Sequence, residues 1–195
     1  MLDEAQVIQW DLIKASIHEA GHLAVLWHFG GDGTITLVRV HDGLDVNRSV
    51  VGRCSISRAP WSAIFNEEAI TGRHRRQGKI VHLAGLVAET YFEALTDGYE
   101  LDAAEFMDYL GGGIISLSQT DAEGTGRVTF KLVEETISVV RELWPDILST
   151  AKESVEEFGQ SSGRKGDRVI EAAAITVALQ LQSLRDQAPA NPVPA

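Results

Sequence analysis

At 195 residues and 21.2 kDa, with 44% hydrophobic residues, the chain is sized for one compact domain with a single core, and collagen-like or wholly disordered organisation is excluded. Only 17 Lys and Arg stand against 28 Asp and Glu, a formal net charge of −11, which repels a phosphate backbone and sets nucleic acid aside as a partner. Cys54 is the one cysteine, so an intrachain disulfide and a cysteine-based zinc knuckle are both excluded.

No apolar run reaches the roughly 18 residues that a membrane-spanning helix needs. The start, Met1-Leu2-Asp3-Glu4, is acidic where a secretory signal is basic, so the expected location is cytoplasmic. In chain order, residues 3–29 carry apolar side chains at helical spacing (Val7 and Ile8, Leu12 and Ile13, Ile17, Leu23 and Ala24, Trp27), and Gly30-Gly31 supply a stop. Two β-type stretches follow, 34–40 (TITLVRV) and 50–57 (VVGRCSIS), joined by the turn-rich HDGLDVN. Pro60-Trp61 marks a loop, and the chain is polar from Glu67 to Lys79; its basic cluster Arg73-His74-Arg75-Arg76 reads as a solvated surface. Residues 79–95 read as a second, largely buried helix, 101–110 as a short helix stopped by Gly111-Gly112-Gly113, and 114–120 as a loop. A helix over 121–143 is expected next, then one with Pro145 in its first turn that ends near Phe158 at Gly159. A polar linker at 160–166 precedes a last amphipathic helix over 168–184. The predicted fold is α+β, mainly α with a small β-sheet, in a single domain over residues 1–187 with a mobile Pro/Ala-rich tail at 188–195.

The chemistry is concentrated on the first helix, at His18-Glu19-Ala20-Gly21-His22. Histidines four apart share one helix face, so both imidazoles can reach one metal ion, and Glu19 beside the first can serve as general base toward a metal-bound water. Two histidines and a glutamate within an apolar helix need compensating partners. Gly21 costs about 1 kcal/mol relative to Ala in a helix interior, which predicts that something approaches closely there. A third ligand is required. Glu89, on the second buried helix, is the natural candidate in a two-His-one-Glu site, and Glu123 and Asp97 are rivals. His82 reads as a core or helix-surface histidine, His28 lies on another face of the first helix, and His41 and His74 fall in turn or polar contexts. Cys54 reads as a small buried apolar residue in a strand.

IHEAGH, followed in order by ITLVRVHDG (35–43), VVGRCSI (50–56), KIVHLAGLVAET with Leu83, Gly85, Ala88 and Glu89, SQTDAE (118–123) and VVRELWPDILSTAKE, resembles the peptidase domain of the FtsH family of AAA+ zinc proteases. The resemblance spans most of residues 7–184 and implies a zincin-like HExxH domain: a zinc metalloendopeptidase with His18, His22 and Asp121 as Zn²⁺ ligands and Glu19 as general base. Glu89 would then orient a histidine from behind. The chain departs from the family in lacking a phosphate-binding loop, since GQSSGRKGD fails the spacing, and a membrane anchor. Peptides or unfolded proteins are therefore the implied substrates, with a separate AAA+ ATPase as a partner and a homo-oligomeric ring as the implied assembly. The alternative is a catalytically weak or inactive binding or regulatory protein on the same fold. The strand at 34–40 either holds an extended substrate by backbone pairing or is a plain structural strand. Residues 98–117 read as an insertion that could form a lid.

Overall fold

The computed structural model describes residues 4–39, 50–56 and 72–188, the side chains of 56 and 72–74 excepted. The HDGLDVN turn with His41, the Pro60-Trp61 loop, the start of the polar stretch (67–71), the His74 side chain and the tail beyond Ala188 lie outside the described residues. Among the described residues, seven helices and one two-stranded sheet make the protein mainly helical with a small β component.

Helix α1 (Glu4–His28) is the axis of the fold. Its apolar residues fall on nearly every face, and Ile8, Leu12, Ile17, Val25 and Leu26 are fully buried. It ends where Gly30 turns to φ +82°: Gly30 N–H donates to Trp27 O and Gly31 N–H to Leu26 O, a Schellman cap. Strands β1 (Gly33–Arg39) and β2 (Val50–Ile56) pair antiparallel with Gly33 opposite Ile56 and Arg39 opposite Val50, and β2 lies along α1.

Helix α2 (Gly72–Asp97) packs on α1 and starts about two turns earlier than the apolar pattern indicates. Those turns are polar and gain a tertiary anchor in the ion pair between Arg76 Nε and Glu135 Oε2, 2.5 Å apart. Helix α3 (Ala103–Gly111) is capped by Asp102, whose carboxylate accepts from Glu105 N–H. Leu101 and Phe106 are fully buried, and the Leu101 carbonyl accepts from Arg141 at 2.6 Å, so the front of the segment expected as a lid is docked against the later helix that carries Arg141.

The continuous helix expected over 121–143 is two helices. Ser118 caps the short α4 (Gln119–Thr125), Gly126 at φ +61° breaks the chain direction, and Thr129 caps α5 (Phe130–Glu142). A second correction concerns residues 160–166. Helix α6 (Trp144–Arg164) runs through Gly159 and most of the expected linker, and the chain turns only at Gly166, φ +84°. Gly159 is not a stop because it is a crossing point: a Cβ there would lie 2.5 Å from Ala174 Cβ on α7 (Arg168–Gln187), which pairs with α6 as a hairpin. Arg39 ties β1 to the α7 cap residue Asp167. No helix among the described residues is long and apolar enough to cross a membrane.

Candidate metal centre

The site grows from the contact between α1 and α2. A Cβ on Gly21 would lie 2.7 Å from Ala88 Cβ and 2.8 Å from the Ala84 carbonyl, so the close approach expected at this glycine is that of α2 itself. The backbone of α2 thereby comes within reach of the α1 histidines. His22 Nδ1 lies 2.7 Å from the Val81 carbonyl, and His18 Nδ1 lies 3.0 Å from Glu89 Oε2. Both partners only accept, so both Nδ1 atoms carry their protons and donate. The two Nε2 atoms face each other at 3.2 Å. They can share at most one proton, and in the neutral pair two lone pairs point into the same space.

The carboxylate of Asp121, from the first turn of α4, completes the cluster. Its Oδ1 is 3.6 Å from His22 Nε2 and its Oδ2 3.8 Å from His18 Nε2. Ser118 fixes it twice, accepting from Asp121 N–H at 3.1 Å and donating its hydroxyl to Oδ2 at 2.6 Å. One ligand atom each from His18, His22 and Asp121 lies within 4.8 Å of the others. Tetrahedral zinc with bonds of about 2.1 Å sets its ligands about 3.4 Å apart, so this donor set and these separations fit zinc.

The rival carboxylates stand elsewhere. Glu89 lies behind the His18 ring, bound also to Lys14 Nζ at 2.9 Å, and Lys14 reaches Glu93 at 2.6 Å. Glu123 is exposed and accepts from Gln119, and Asp97 is exposed at the end of α2. Glu19 is 9% exposed, and among the described residues no hydrogen bond or ion pair ties down its carboxylate. It packs against β2 at Gly52, where a Cβ would come within 2.9 Å of its Oε1.

His82, read from sequence as a core or surface histidine, has Nδ1 3.6 Å from Asp121 Oδ1, and its ring fills the space that a side chain at position 124 would need. With Gly85 and Glu89 it forms an i, i+3, i+7 row on α2, and that spacing is the signal by which all three could have been grouped. Cys54 is half-buried; burial, then the charges of Glu19 and Asp121, push its thiol up to about 12, so it stays protonated.

The electrostatics are coupled. Burial opposes charge on His18, but the Asp121 and Glu89 carboxylates overcome it and raise its pKa from 6.5 to about 9. Burial favours neutral Glu89 too, yet His18 and Lys14 hold it down at about 2. Asp121, also opposed by burial, is held well below the usual carboxylate range by His18, His22 and His82. A raised histidine pKa stabilises the fold fully below 6.5, and the gain is lost as pH climbs through about 9. The Glu89 contribution is full above 4.5 and is lost as pH falls toward about 2. Any cation entering between the Nε2 atoms must displace the His18 proton. We therefore expect zinc uptake to release a proton below pH 9 and apparent affinity to rise by up to about tenfold per pH unit toward that value. Calorimetric titration in buffers of different ionisation enthalpy checks this, and a pH-independent affinity with no proton release would contradict it.

Compared with protein-family models and with curated proteins, the sequence matches none.

Proposed function

We propose that this protein is a zinc metalloendopeptidase with a zincin-like domain resembling the FtsH peptidase domain. The observation that carries the reading is the convergence of the His18 and His22 Nε2 atoms and the Asp121 carboxylate, with the nearly buried Glu19 next to the first ligand. Zinc bound there supplies a Lewis acid that polarises the scissile carbonyl and makes water acidic enough to attack at neutral pH. The Glu19 carboxylate accepts the proton of the attacking water and delivers it to the departing amide nitrogen. Val81 O and Glu89 hold the two imidazoles in the Nδ1–H tautomer, so that each Nε2 is available as a ligand. Ser118 holds Asp121 through Oδ2, and the His82 ring stands beside its other oxygen. Substrates are peptides or unfolded proteins, delivered by a separate AAA+ ATPase where unfolding is needed.

Zinc per chain, measured by elemental analysis after dialysis, tests the site. We expect one zinc in the wild type and none in His22→Ala or Asp121→Ala. Glu89→Gln keeps a site weakened about 10- to 100-fold, the usual effect of losing a partner behind a ligand. A wild type that takes up no zinc overturns the reading, and zinc retained without Asp121 but lost without Glu89 reverses the assignment of the third ligand.

A further inference from the structure

Helix α7 is apolar on two opposite sides. Its inner face, Ile170, Ala173, Ala174, Val177, Ala178 and Leu181, is buried against α6 and α1. Its outer face carries Ile175 at 60% and Leu179 at 67% exposure, the latter among the most exposed large hydrophobics described, with exposed Ala172 beside them. A helix that is hydrophobic all round is normally covered. In a chain with 23% charged residues, this outer face has charges only at its ends.

The outer residues follow a 4-3-4-3-4 spacing, the heptad seam of paired helices: Arg168, Ala172, Ile175, Leu179, Gln182, Asp186. The seam reads symmetrically about position 177. Antiparallel pairing across a two-fold axis there sets Ile175 against the partner's Leu179, Ala172 against the partner's Gln182, and Arg168 against the partner's Asp186. A small residue then faces a long one, the two aliphatic knobs meet, and opposite charges close both ends. Parallel pairing would set Arg168 against the partner's Arg168 and Asp186 against the partner's Asp186. Among the described residues these end charges have exposed local contacts, Arg168 with Glu171 and Asp186 with Gln182, which re-pair at little cost. Half-exposed Trp10 lines a groove of about 410 Å³ with Phe92, Gln180 and Leu184, on another side of α7 from the seam.

We infer that the outer face of α7 is a self-association surface and that it takes a second copy of this chain in the antiparallel register centred on Val177. The dimer requires nothing of the metal site.

Sedimentation equilibrium of the full chain over a micromolar concentration series tests it. The wild type should rise from the mass of one chain, 21.2 kDa, toward twice that mass, and Leu179→Glu should stay at one chain mass with unchanged helical circular dichroism. Arg168→Asp sets like charges together at both ends and should weaken association about tenfold. Adding Asp186→Arg should restore it. A wild type of one chain mass throughout, a dimer that persists in Leu179→Glu, or a double exchange that fails to rescue would each overturn the proposal.

Discussion

Glu19→Gln is expected to keep one zinc per chain and to lose about 10²- to 10⁴-fold in peptide hydrolysis, the contribution typical of a positioned general base. The substitution is nearly isosteric and Glu19 is not among the converging ligand atoms, so the histidines, Asp121 and the contact with Gly52 are all preserved. What is removed is a proton acceptor. An amide cannot take a proton from water or return it to the leaving nitrogen, whereas a carboxylate can do both. The nearly buried Glu19 charge costs desolvation but attracts the His18 imidazolium, so the amide variant should be close to the wild type in stability. Hydrolysis of an unstructured fluorogenic peptide, zinc content and thermal unfolding, measured together, check all three. Unchanged turnover would move the base elsewhere, and absent turnover in the wild type with zinc bound would favour a regulatory or binding protein.

Gly85→Ala is expected to do as much damage to metal binding as the loss of a ligand. The added methyl would sit within 2.7 Å of Cδ2 and Cε1 of His22. The ring cannot retreat, because Nδ1 is held 2.7 Å from Val81 O, one turn earlier on the same helix that carries the new methyl. Either that hydrogen bond breaks and Nε2 swings away from His18 and Asp121, or α1 and α2 move apart at a contact already closed at Gly21. Overpacking of this kind costs about 1 to 3 kcal/mol. We expect zinc affinity to fall by at least about 100-fold, with a lowered melting temperature. Zinc titration of the variant with a chromophoric competitor checks it, and wild-type affinity would show that His22 has room to move.

The helices that the sequence reveals are those whose own apolar spacing suffices, such as α1 and the later turns of α2. The first turns of α2 are polar, and their tertiary contact is with the distant Glu135, which no local window contains. Glycines caused the other misreadings. Gly159 resembles a stop but serves a helix crossing, while Gly126 truly ends a helix, and only the position of Ala174 separates the two cases. The same division holds in the site. His18, Glu19 and His22 are legible because four residues of helix already align them. Asp121 stands about a hundred residues later and follows from a family resemblance rather than from local pattern, which leaves Glu89 open on the residues alone. The spacing of His82 with Gly85 and Glu89 places it on the site's face of α2, but its partner Asp121 is set by how α4 lies on α2.

Positions 21, 52 and 85 matter to this protein for the atoms they lack. Each leaves the volume that Ala88, Glu19 or His22 occupies, so the site depends on empty space as well as on ligands. Sequence drift can exchange one aliphatic core residue for another and be absorbed, but it has no small step available at these three places. Two lineages of this fold could therefore diverge almost everywhere and still be recognisable by where they remain small.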